Sequence, residues 1–182
     1  MTNTTKKHSA LREILNTGLY LLLIFVLTWL FITYVGQRTQ VVGSSMYDTL
    51  EDGDNLIVNK LGYRLHDPER FDIVVFPCEG EFFIKRIIGL PGETVRIDTE
   101  GKIYINEVLL DENYGYETIE DPGRAIETLV LGEDEYFVLG DNRNNSRDSR
   151  DPMVGNIARD RIVGKAFIRI YPFDKFGVLK HQ

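Results

Sequence analysis

Three stretches of this sequence are dense in residues that could do chemistry. The first is Gly43-Ser44-Ser45-Met46-Tyr47-Asp48-Thr49-Leu50. Gly and Ser ahead of an apolar Met permit a tight turn that presents a hydroxyl and leaves backbone N–H groups free to hold an oxyanion. Alone this is a weak signal, because a Gly-Ser-Ser run is usually an ordinary loop. The second runs from Phe82 to Glu93, FFIKRIIGLPGE. In a strand, alternate residues share a face, so Phe83, Lys85, Ile87 and Gly89 line one side. If that side is buried, desolvation disfavours the ammonium and lowers the lysine pKa. A neutral lysine can take a proton from a serine hydroxyl. The pattern serves equally well a buried, paired Arg86 with Lys85 pointing to water, and periodicity does not choose between them. The third stretch runs from Leu139 to Asp151, LGDNRNNSRDSRD. A calcium loop would put Asp141, Arg143 and Asn145 at its first, third and fifth positions, but arginine cannot ligate calcium and no Glu closes the loop. A hydrogen-bonded network that positions other side chains fits better. There Asp148 and Arg150 can pair, and Ser146 can orient an amine.

Other catalytic groups are scarce. The single cysteine, Cys78, cannot form an internal disulfide and reads as a plain strand residue. Of the three histidines, His8 precedes the apolar N-terminal segment and His181 is next to the last residue. Only His66 sits inside the domain, in a Pro-containing stretch, so a Ser-His-Asp arrangement has little to draw on.

The elements that must carry these residues are mostly strands. Asn55–Asn59, Asp72–Phe76, Phe82–Ile88, Thr94–Ile97, Lys102–Ile105, Glu135–Leu139 and Lys165–Tyr171 are short, β-branched and aromatic, and Gly, Pro, Asp and Asn punctuate them. Thr99-Glu100-Gly101 predicts a hairpin turn. All six prolines are expected between runs. No helical apolar period follows Val35. The expectation is a mainly β, antiparallel domain of sandwich or barrel type, with the acidic residues 98–134 as an inserted hairpin or cap.

Ahead of that domain lies Gly18 to Val35, GLYLLLIFVLTWLFITYV, without a charge. As a helix it spans roughly 27 Å, near the hydrocarbon thickness of a bilayer. It is apolar all round, unlike a core helix, and its flank, Gly36 to Gln40, lacks the small-x-small site of a cleaved signal peptide. An uncleaved anchor is predicted. Lys6, Lys7 and Arg12 precede it, while only Arg38 follows closely. The positive-inside rule then places residues 1–17 in the cytoplasm, 18–35 across the cell membrane, and 36–182 outside as the working domain. The chain has 182 residues, 43% hydrophobic and 27% charged, a composition that folds. Its net charge of −7 argues against a nucleic-acid partner.

Taken together, GSSMYDTL, FDIVVF (71–76), FIKRIIGLPGE (83–93) and GDNRNNSRDSR (140–150) resemble the ordered boxes of bacterial signal peptidase I, the leader peptidase family. The resemblance runs from the anchor to about residue 172, and it is most specific in the lysine and GDNR boxes. It implies a membrane-bound serine endopeptidase with a Ser/Lys dyad and no metal or cofactor. The serine directly before Met, Ser45 and not Ser44, would be the nucleophile, and Lys85 the general base. Ser146 would hydrogen-bond the lysine amine, Asp148 and Arg150 would support it, and Met46 would shape the site. Exported preproteins would be cut after signal peptides with small residues at the first and third positions before the cut, next to membrane lipid. The chain departs from the family at two places. Asp48 stands where the family usually has Pro, and Gly43 where some members carry a hydroxyl donor, which leaves the oxyanion to backbone N–H groups. Two rivals are a self-cleaving repressor of similar fold, which the anchor and GDNR box disfavour, and a catalytically silent relative that serves as a pilus-assembly chaperone. The latter would be expected to lack the serine or the lysine.

Overall fold

A computed structural model of the chain describes residues 3–34 and 36–179. Val35 and His181 lie outside the described residues. The first element is helix α1, Asn3–Tyr34. It is longer than the apolar segment because residues 3–17 hold good helix formers and neither Gly nor Pro to stop it. Within it, Arg12–Phe31 is long and apolar enough to cross a membrane, and none of that stretch is buried against the rest of the protein.

Twelve strands follow among the described residues. They are β1 Gly36–Gln40, β2 Asn55–Asn59, β3 Ile73–Cys78, β4 Glu81–Gly89, β5 Thr94–Ile97, β6 Ile103–Ile105, β7 Val108–Leu109, β8 Leu129–Val130, β9 Glu135–Leu139, β10 Ile157–Ala158, β11 Gly164–Tyr171 and β12 Gly177–Val178. The larger sheet has the order β1-β2-β11-β3-β4-β9-β10, with β12 also on β11, and the smaller the order β7-β6-β5-β8. The strand pairs are antiparallel, so the mainly β expectation holds. The acidic stretch 98–134 carries three strands of the smaller sheet, completed by β5 from before it. Strand β1 was not anticipated. Gln37, Arg38, Thr39 and Gln40 carry no apolar alternation, which suits an edge strand paired only with β2.

The core explains the site's foundation. Ile73 and Val75 of β3 pack in one apolar cluster with Met46, Leu50 and Ile84. Val74, Phe76 and Cys78 of the same strand pack in another with Ile87 and Val138. The sheet is therefore buried on both faces around β3 and β4, and such strands read as continuous apolar runs. A third cluster joins Ile88, Phe137 and Leu139 to Val95, Ile97 and Ile103, and so fastens the smaller sheet to the larger. The β3–β4 turn is Glu79-Gly80, with φ +50° and +86°. That is the two-residue hairpin geometry whose twist matches the flanking strands. Contrary to expectation, Pro77 lies within β3 rather than between strands. It is tolerated because β11 pairs only as far as Val75, so β3 has one partner there and can spare an N–H.

Candidate active site

The serine stretch forms a turn seated on the core. Met46 is buried among Val41, Leu50, Ile73 and Ile84, and the N–H of Leu50 bonds the Met46 carbonyl at 2.8 Å. The third stretch holds this turn from the other side. Asn142 N–H donates to the Ser45 carbonyl at 3.1 Å, Asn142 Nδ2 to the Ser44 carbonyl at 3.1 Å, and Asn145 Nδ2 to Ser44 Oγ at 2.9 Å. Ser44's hydroxyl is thus engaged in the scaffold. No hydrogen bond involves the Ser45 N–H among the described residues. Gly43 has φ +88° and donates its N–H to Asp52 Oδ1 at 2.8 Å, while Asp48 is exposed.

Strand β4 buries Lys85, as the first reading expects, and buries Arg86 as well. Arg86 is fully buried and forks onto Asp141 through Nε at 2.8 Å and Nη2 at 2.6 Å. Its guanidinium also stacks on Tyr114, 3.7 Å from the ring centroid. Lys85 lies opposite Val74 in the β3–β4 register and is 4% exposed. Its Nζ donates to Ser45 Oγ at 2.7 Å and to the Ile84 carbonyl at 3.0 Å, with the Phe83 ring 5.1 Å away. Burial pulls its pKa from 10.5 down to about 8, against the opposing pull of the Asp148 and Asp141 charges. The amine is therefore far closer to neutral at working pH than an exposed lysine.

Ser146 does not take the place expected of it. Its hydroxyl is buried and has no hydrogen-bond partner among the described residues. The amine's protein partners are Ser45 and Ile84 instead, and Ser146 packs against Gly140. A Cβ built on Gly140 would sit 2.1 Å from Ser146 Oγ and 2.4 Å from the Ser45 carbonyl oxygen, so this contact demands glycine. Asp148 and Arg150 do pair, through Nε–Oδ1 and Nη2–Oδ2, both at 2.9 Å. Asp148 Oδ2 also accepts the Gly140 N–H at 3.0 Å, which ties the pair to the end of β9.

A cavity of about 210 Å³ opens beside the serine and lysine, lined by Val41, Val42, Met46, Phe82, Phe83 and Ile84 among others. β9 pairs with β4 only from Arg86 onward, so residues 81–85 have a strand partner on the β3 side alone among the described residues. The other candidates stay apart. His66 is exposed and packs edge-on to Tyr63. Cys78 is buried in β3. Sequence reading missed Asp141 as the partner of Arg86, and Asn142 and Asn145 as braces of the serine turn. Arg86 in a buried run signalled that some carboxylate must meet it, but nothing in the pattern said which one.

Comparison with known proteins gives the family. A family profile described as "Signal peptidase, peptidase S26" matches residues 14–171. "Probable signal peptidase I-2" of Synechocystis sp. is 43% identical over 155 residues, covering 81% of this chain and 68% of the relative. "Signal peptidase I" of Leptolyngbya laminosa is 40% identical over 157 residues, covering 81% and 74%. "Signal peptidase IB" of Staphylococcus aureus (strain COL) is 32% identical over 181 residues, covering 91% and 93%.

Proposed function

The chain belongs to the signal peptidase family, peptidase S26, whose members are serine proteases acting on preprotein signal peptides, and on that premise we propose that it cuts them with Ser45 as nucleophile and Lys85 as general base. The observation that carries this assignment is the 2.7 Å contact between Lys85 Nζ and Ser45 Oγ at a buried amine. In the neutral form the contact reverses. The hydroxyl donates to the amine lone pair, and the proton passes to nitrogen as the serine oxygen attacks the scissile carbonyl. The carbon becomes tetrahedral and its oxygen negative. The unengaged Ser45 N–H supplies a donor for that oxyanion, in keeping with Gly43 having no side chain to offer one. The protonated amine then delivers its proton to the leaving nitrogen as the peptide bond breaks. In the second half-reaction the neutral amine takes a proton from water as its oxygen attacks the acyl carbon, and then returns that proton to Ser45 Oγ as the ester bond breaks, which restores both groups. Asn142, Asn145 and the Asp148–Arg150 pair hold the turn in place.

The substrate segment adds as a strand along β4 residues 81–84, where the edge is open, and main-chain bonds carry its affinity. Alternate side chains then point the same way. A cavity of about 210 Å³ beside Ser45 suits small ones at the first and third positions before the cut. The N-terminal helix anchors the chain, with Lys6, Lys7 and Arg12 on the cytoplasmic side and the sheets outside, beside lipid. A catalytically silent chaperone has no supporting observation, since serine and lysine are both present and in contact.

The pH dependence tests the dyad. Only the neutral amine can accept the proton, so cleavage of a preprotein should rise with pH along a single limb centred near 8, following the lysine. Activity that is flat between pH 6.5 and 9 would remove Lys85 from the role of base.

A further inference from the structure

Beyond the dyad and its scaffold, Arg147 stands in an unusual position. It lies between Ser146 and Asp148, yet its side chain leaves that network and crosses to the β3–β4 hairpin. Nη1 and Nη2 fork onto Glu79 at 2.5 and 2.8 Å, and Nε bonds Asp151 Oδ2 at 2.9 Å. All three side chains are a third to under half exposed. Arg147 also lines the cavity beside Ser45 and Lys85, and Glu81, the first residue of the open edge, lines it too. Among the described residues no other hydrogen bond joins the hairpin tip to this loop. One guanidinium thus links the turn at which the open edge begins to the loop that braces the nucleophile. An isolated exposed ion pair contributes little, but a bidentate fork shared with a second carboxylate fixes geometry as well as charge.

We infer that Arg147 is a positioning residue for the peptide cleft: by clamping Glu79 to Asp151 it holds the β3–β4 hairpin against the serine-bracing loop and fixes the wall along which the segment before the cut is bound. The inference rests on the reading of Ser45 and Lys85 as the reacting pair with β4 as the docking edge. Arg147 touches neither reacting atom, so it acts on binding rather than on chemistry.

The test is steady-state cleavage of a preprotein by the full-length enzyme and by R147A, E79Q and the double variant. R147A should raise KM about threefold to fivefold and leave kcat within about twofold, as expected for loss of one partly exposed ion network. E79Q should raise KM similarly, and adding it to R147A should change nothing further, because both remove the same link. The KM of the wild type should climb as salt goes from about 0.05 to 0.5 M more steeply than that of R147A, since screening weakens the clamp. Unchanged KM in R147A, additive effects in the double variant, or an equal loss of kcat in all variants would overturn the inference. S45A serves as the separate control. If S45A still cleaves, the dyad reading fails; if S45A is inactive while R147A behaves as wild type, only the clamp fails.

Discussion

At the residue scale, the site depends on one lysine that the fold holds at a cost. Its pKa falls from 10.5 to about 8, which corresponds to about 3 kcal/mol at neutral pH. The sign follows from proton binding. Between pH 8 and 10.5 the folded protein binds fewer protons than the unfolded chain, so this group's contribution to stability rises with pH across that window. Below it the full cost is present. Lys85→Met, which keeps the volume and discards the charge, should therefore abolish cleavage yet raise urea-denaturation stability by up to about 3 kcal/mol at pH 7. The gain should fade toward pH 10.5. How much of this was legible in the sequence is instructive. Period-two alternation put Lys85 beside Phe83 and Ile87, but it treated Lys85 and Arg86 as rivals for one buried face. Both are buried because β4 has no water-facing side there, and alternation cannot reveal a strand covered on both faces. For Ser146 the limit of the sequence is different. Its box placed it near the site, but whether a hydroxyl meets the amine is decided by rotamer and backbone contacts such as that with Gly140, which composition does not encode.

At the element scale, β4 is the axis of the molecule, carrying Lys85, Arg86 and the open edge in nine residues. The short runs that became β2 to β6, β9 and β11 were legible because β-branched and aromatic residues are bounded there by turn formers. The edge strand β1 was not, since polar residues suffice where one face and one edge meet solvent. The Arg86–Asp141 pair stitches β4 to the loop after β9 with neither side chain exposed. Asp141→Ala would leave a buried guanidinium without its carboxylate, and should cost about 3–5 kcal/mol of stability by urea denaturation. Gly140→Ala, next door, should act on the site instead. The new methyl cannot coexist with the Ser45 carbonyl oxygen at 2.4 Å, and one of the two must move. The expected reading is a loss of kcat of about a hundredfold, in line with displacing reacting groups by about an ångström.

At the scale of the whole molecule, α1 ends at Tyr34 and β1, which pairs with β2 at the edge of the larger sheet, begins at Gly36. The apolar N-terminal helix was the most legible feature of all, because an uncharged apolar run needs no tertiary context to be read. β7 and β8 of the smaller sheet were not legible, since strands of two residues hold no alternation to read. Removing residues 1–35 should release the protein from vesicles. It should also lower cleavage of a vesicle-bound preprotein about a hundredfold by ending the high local concentration that tethering provides, while cleavage of a soluble peptide changes little. The central claim is tested most directly by cleavage of one preprotein by the purified full-length wild type, S44A, S45A and K85A. The account predicts that S44A retains cleavage within about tenfold, because Ser44 Oγ only accepts from Asn145, whereas S45A and K85A each lose about 10⁴-fold. Processing by S45A at the wild-type rate, or a loss confined to S44A, would contradict it.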